Sequence, residues 1–119
     1  MFHKKLSDSP EFVAGDATRL REIMHPQQDN LAIGYSVAHA SVAVGNASLP
    51  HTLSSSETYY ILAGEGIMYV NEETITVGKD DIFLVPAQAT QHIENIGSVD
   101  LVFICIVEPY WQEHEEAIL

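Results

Sequence analysis

The stretch Gly45-Asn-Ala-Ser-Leu-Pro-His51-Thr-Leu53-Ser-Ser-Ser-Glu57-Thr-Tyr-Tyr-Ile-Leu-Ala-Gly64 decides how this chain is read. It sets a histidine and a carboxylate six positions apart, framed by glycines and lying between runs of alternating apolar residues. Successive side chains of a strand point to opposite faces, so His51 and Leu53 share one face. Glu57, after the Ser54-Ser55-Ser56 turn, begins the next strand beside them. Imidazole and carboxylate on adjoining strands are the ingredients of a metal-binding hairpin inside a β-barrel. Beyond Glu57 the alternation turns Tyr59 and Ile61 inward and Tyr60 and Leu62 away.

Outward from this stretch the chain reads as short strands separated by turn residues. Pro10 to Gly15 is an irregular lead-in. Asp16 to His25 is short and charged, read as a strand with a single helical turn as the alternative, and it stops at Pro26. Gln27-Gln28-Asp29-Asn30 is a turn by composition. From Leu31, the residues Ile33, Tyr35 and Val37 alternate with small ones, and Ser41 to Val44 carries the run to Gly45. On the other side, Gly64-Glu65-Gly66 reads as a hairpin turn. Ile67 to Val70 and Thr74 to Val77 form a hairpin about Asn71-Glu72-Glu73. Ile82 to Val85, His92 to Ile96 and Leu101 to Val107 stop at Pro86, Gly97 and Pro109. This pattern predicts an all-β sandwich or barrel. Leu101 to Val107 is apolar on both faces, which predicts a strand covered from both sides. Tyr110 to Leu119 is the one predicted helix, because Pro109 precedes it and Trp111, His114 and Ile118 follow roughly helical spacing.

Composition limits the function. The 119 residues form a single domain with enough buried surface for one core. A net charge of −12 argues against nucleic acid and anionic membranes as partners, since both attract clustered Lys and Arg. Cys105 is the only cysteine, which rules out an internal disulfide or a thiolate metal cluster. The N-terminus lacks the apolar run of a signal peptide, and no apolar stretch nears the ~20 residues of a membrane span, so the expected location is cytoplasmic. The doubly apolar strand and the aromatic tail predict a homodimer.

Two motifs make the chain resemble the cupins. The family's first motif is glycine, five residues, His-x-His, three or four residues, Glu, six residues and Gly; Gly45, His51, Glu57 and Gly64 match it, with Leu53 in the second histidine slot. In the second motif Asp81, Pro86 and Asn95 match, and Gln91 occupies the histidine slot. The resemblance implies an all-β double-stranded β-helix (jelly-roll) barrel over about residues 31–107, followed by the short C-terminal helix at about 110–119. It also implies a divalent metal, held in full-motif members by three histidines and one glutamate. Carried to this chain, the donors are His51, Glu57 and Gln91, with water completing the shell of zinc, manganese or iron. His92 would replace Gln91 if its strand slipped by one residue, but the counts from Pro86 and to Asn95 favour Gln91. Tyr59 could hydrogen-bond a ligand, and His39, among small neighbours, is a lesser candidate. The expectation is a small-molecule-binding cupin with a reduced metal site, its catalysis left open; the alternative is a non-catalytic or structural module without metal.

Overall fold

The computed structural model describes residues 1–119, and the chain runs through eleven strands. In order they are β1 (Phe12–Val13), β2 (Arg19–Met24), β3 (Ser36–Val42), β4 (His51–Leu53), β5 (Ser56–Ala63), β6 (Glu65–Val70), β7 (Glu73–Gly78), β8 (Ile82–Val85), β9 (Gln91–Asn95), β10 (Leu101–Glu108) and β11 (Glu116–Ile118). A six-stranded sheet has the order β1-β2-β3-β10-β5-β8, and a five-stranded sheet faces it in the order β11-β4-β9-β6-β7. Consecutive strands repeatedly change sheets, as a jelly roll requires. Every pairing is antiparallel. No helix is long and apolar enough to cross a membrane.

Alternation in the sequence becomes alternation of burial. Along β3, Ser36, Ala38, Ala40 and Val42 are buried while the residues between them are not. In β5 the inward set is Glu57, Tyr59 and Ile61, as the period of two predicts. Ile61, Met68, Ile93, Leu101 and Phe103 meet between the sheets in one apolar core. Asn95 ties the loop beyond β9: its side-chain amide donates to the Val42 and Val99 carbonyls, and its Oδ1 accepts the Gly97 N–H.

Three expectations change. The C-terminal helix over 110–119 does not form; a 3-10 turn at Glu113–Glu115 leads into β11, which pairs with β4. Its spacing suits a helix, but the open edge of β4 needs backbone partners, and three crowded glutamates disfavour extending the single 3-10 turn. The Tyr110 N–H donates to the Gly34 carbonyl and the Trp111 N–H to Ser36 Oγ, which holds the tail extended across the barrel end. Gly64-Glu65-Gly66 is a corner between sheets rather than a hairpin turn. Gly64 has φ +88°, and a side chain there would put its Cβ 2.7 Å from the Asp100 carbonyl. The strand expected from Leu31 begins at Ser36. On β10 the outward residues Val102 and Ile104 are half-buried and Ile106 is exposed.

Candidate ligand site

Register brings the candidate residues to one end of the barrel. His51 on β4 is the cross-strand partner of Gln91 on β9. Glu57 and Tyr59 approach from the opposite sheet, on β5. All four side chains are buried. Beside them a cavity of about 610 Å³ opens, and His51, Leu53, Glu57 and Cys105 line it. The space exists because Ser36, Ala38 and Cys105 lie where larger residues would close the floor. Two chain segments form its other walls: the lead-in through Asp16, and the tail through Trp111 to Ile118.

Hydrogen bonds set the state of each group. His51 Nδ1 lies 2.7 Å from the Leu49 carbonyl. A carbonyl can only accept, so Nδ1 carries the proton and Nε2 is left as the basic nitrogen. Nε2 faces Asp16 Oδ2 at 3.8 Å, too far for a hydrogen bond. Asp16 is held in place by its own turn, since its Oδ1 accepts both the N–H and the hydroxyl of Thr18. The Tyr59 hydroxyl donates to Gln91 Oε1 at 2.5 Å and lies 3.5 Å from Glu57 Oε1.

The electrostatics follow from burial. Loss of water pushes the Glu57 carboxyl up to about 7; the Cys105 thiol, His51 and the Gln91 amide pull it down, and Asp16 pushes it up. Burial and the Glu57 charge raise the Tyr59 phenol and the Cys105 thiol well above their ordinary values, so both stay protonated. On the far wall, burial and then Asp29 raise Glu22 to about 7, against the pull of Lys4.

The donor set does not fit a resident transition metal. No three His, Cys, Asp or Glu side chains gather closely enough to hold one. Leu53 is apolar, and Gln91 Oε1 is engaged by Tyr59. His51 Nε2, Glu57 and Asp16 remain as donors around the cavity, but they are not gathered into the set of three or four that structural or catalytic metal sites take from the protein.

The other candidates lie elsewhere. His92 faces outward and stacks on Tyr69 with ring centroids 4.2 Å apart, while its neighbour Gln91 points inward. His39 sits on the outer face of the six-stranded sheet, opposite Arg21, and burial followed by the Arg21 charge lowers its pKa. His25, with no role read from its sequence context, is buried: Nδ1 accepts the Gln27 N–H, so Nε2 donates to the Trp111 carbonyl and anchors the tail. Asp16, Glu22 and Trp111 were missed as cavity residues. Only Asp16 had a local signal, the Asp-x-Thr turn.

Comparison with known proteins agrees with the fold. The family described as a cupin domain matches residues 38–107. An uncharacterized protein of Methanocaldococcus jannaschii is 35% identical over 109 residues, covering 91% of this chain and 86% of its own length. An oxalate-binding protein of Thermotoga maritima is 33% identical over 51 residues, 43% of this chain and 42% of that protein. Among solved structures, uridine-bound Streptomyces Pac13 superposes with a TM-score of 0.79 at 20% identity, covering 100% of this chain and 91% of that one. Pac13 is described as a nucleoside dehydratase.

Proposed function

This chain belongs to the cupin domain family, and from that premise we propose that it binds a small polar molecule between its sheets, with His51 and Glu57 exchanging protons with it. One observation carries the reading: His51 Nε2, basic and without a hydrogen-bond partner, shares a cavity wall with the buried carboxyl of Glu57. An imidazole nitrogen free to accept a proton and a carboxyl raised to about 7 on the same wall suit proton transfer near neutral pH. Tyr59 and Gln91 act behind them as positioning residues: the Tyr59 hydroxyl holds Gln91 Oε1, and the Gln91 amide hydrogen-bonds the Glu57 carboxyl. No step passes through a metal. That related proteins are described as binding oxalate or uridine supports a small-molecule role for the cavity without naming its ligand.

The test is a screen of small polar molecules by thermal denaturation of the parent and His51→Ala. Compounds that stabilise the parent are expected to leave the variant's melting temperature unchanged. Equal stabilisation of both would place binding outside this site.

Pairing through the outer face of the six-stranded sheet is a second part of the proposal. Ile82 and Leu84 on that face are 66% and 64% exposed, and Tyr60, Leu62 and Ile106 are exposed beside them. A second copy would cover this apolar surface by two-fold pairing. Sedimentation is expected to show a dimer that Leu84→Glu converts to monomer; a monomeric parent at micromolar concentration would contradict it.

A further inference from the structure

The cavity has two acidic ends and an uncharged floor. Glu22 on β2 pairs with Ala38, Ala38 with Cys105, and Cys105 with Tyr59, one inward position from Glu57. Three strand spacings put the backbones of Glu22 and Tyr59 roughly 14 Å apart. Only Ser36, Ala38 and Cys105 cover the floor between them, and Leu20 and Val107 add apolar wall. Asp16, Glu113 and Glu116 also line the space, and no Lys or Arg does.

One polar group here lacks a partner: Glu22 Oε1 is buried with no hydrogen bond. His51, 2% exposed, presents Nε2 to the same cavity, 3.8 Å from Asp16 Oδ2. The charged groups acting on Glu22 are Asp29 and Lys4, but the Lys4 ammonium is taken by Asp29 Oδ1 at 2.9 Å. Arg21 does not reach inward; it donates to the Ser9 carbonyl. On the tail, the Trp111 indole N–H is already used by Glu116 Oε2. A buried carboxylate without a cation is costly, and nothing else in the chain supplies one to Glu22. A dicarboxylate such as oxalate would meet carboxyl groups at both ends and no Lys or Arg.

We infer that the cavity takes an aliphatic diamine, with one ammonium at Glu22, the other at the Glu57–Asp16 end, and the alkyl chain across Ala38 and Cys105. This rests on the reading of the cavity as the ligand site and names the ligand class for it. Two charged ends match the two acidic ends, and the methylene chain matches the apolar floor.

The test is calorimetric titration of the parent with diaminobutane, diaminohexane, diaminooctane, hexylamine, oxalate and uridine. At least one diamine is expected to bind about tenfold or more tighter than hexylamine, with no heat from oxalate. Glu22→Gln should bring that diamine to the monoamine's affinity, whereas Glu73→Gln, an equal charge change on the far hairpin, should leave it unchanged. If Glu22→Gln proves unstable, Glu22→Asp should retain the preference for diamines. Equal affinity for diamine and monoamine, insensitivity to Glu22→Gln, or no amine binding would overturn the inference. The underlying reading fails separately: oxalate or uridine binding that is lost in His51→Ala removes the diamine and keeps the cavity, whereas diamine binding that survives His51→Ala moves the ligand away from the His51 wall.

Discussion

The two ends of this barrel are built from the same strands and packed in opposite ways. At one end Ile61, Met68, Ile93 and Leu101 are fully buried or nearly so and fill the space between the sheets. At the other, the same strands present Ser36, Ala38, Cys105, Glu57 and Gln91. Along β3 the inward residues shrink from Val42 to Ala40, Ala38 and Ser36; along β10, Leu101 and Phe103 give way to Cys105 and Val107. Side-chain volume is withdrawn at one end, and polar groups line the room it leaves. The packed end supplies the rigidity that a preorganised polar site needs, and the cavity end gives up stability to have one.

The largest effect should come from breaking the packed end. Met68→Ala removes a fully buried side chain and is expected to cost about 2–5 kcal/mol in denaturant unfolding. Ala38→Leu at the cavity end adds volume where there is room and should change stability by less than about 1 kcal/mol while abolishing ligand binding. Similar losses in the two variants would erase the contrast.

The next effect is of pH. Glu22 and Glu57 have carboxyl groups raised from 4.5 to about 7, so between those values the folded state holds protons that the unfolded chain has released. Their contribution is complete below about pH 4.5 and is lost as pH rises through about 7. Stability should therefore fall by an amount on the order of 2 kcal/mol across that window, after allowance for solvent screening. Glu57→Gln should flatten the slope; an unchanged slope in that variant would assign it to other groups.

The smallest effects separate two neighbours. Gln91→Ala leaves the Tyr59 hydroxyl without its acceptor and should cost about 1–3 kcal/mol. His92→Ala gives up only an outer-face stack on Tyr69 and should cost about 0.5–1 kcal/mol, with ligand binding intact.

That pair also shows what the sequence could reveal. Spacing from Pro86 and to Asn95 was enough to turn Gln91 inward, because a strand register is fixed modulo two and an error of one would reverse every neighbour. The period of two likewise sorted Glu57, Tyr59 and Ile61 from Tyr60 and Leu62. Residues whose roles depend on distant pairing were not readable. Glu22 becomes a cavity wall only through its register with Ala38 and, beyond it, Cys105, and nothing near Glu22 in sequence carries that information. The tail failed for the related reason that Trp111, His114 and Ile118 fit a helix locally, while the open edge of β4 decides their conformation. The motif located His51 and Glu57 together, but the commitment of Gln91 Oε1 to Tyr59 is visible only in the fold.

The central claim is that His51 and Glu57 form a polar centre for a ligand rather than half of a resident metal site. Elemental analysis of protein purified without a histidine tag, before and after incubation with zinc, manganese or ferrous iron and removal of excess, tests it most directly. The expected result is less than about a tenth of an equivalent of metal per chain in every sample. One equivalent per chain in the parent and none in His51→Ala would contradict the account.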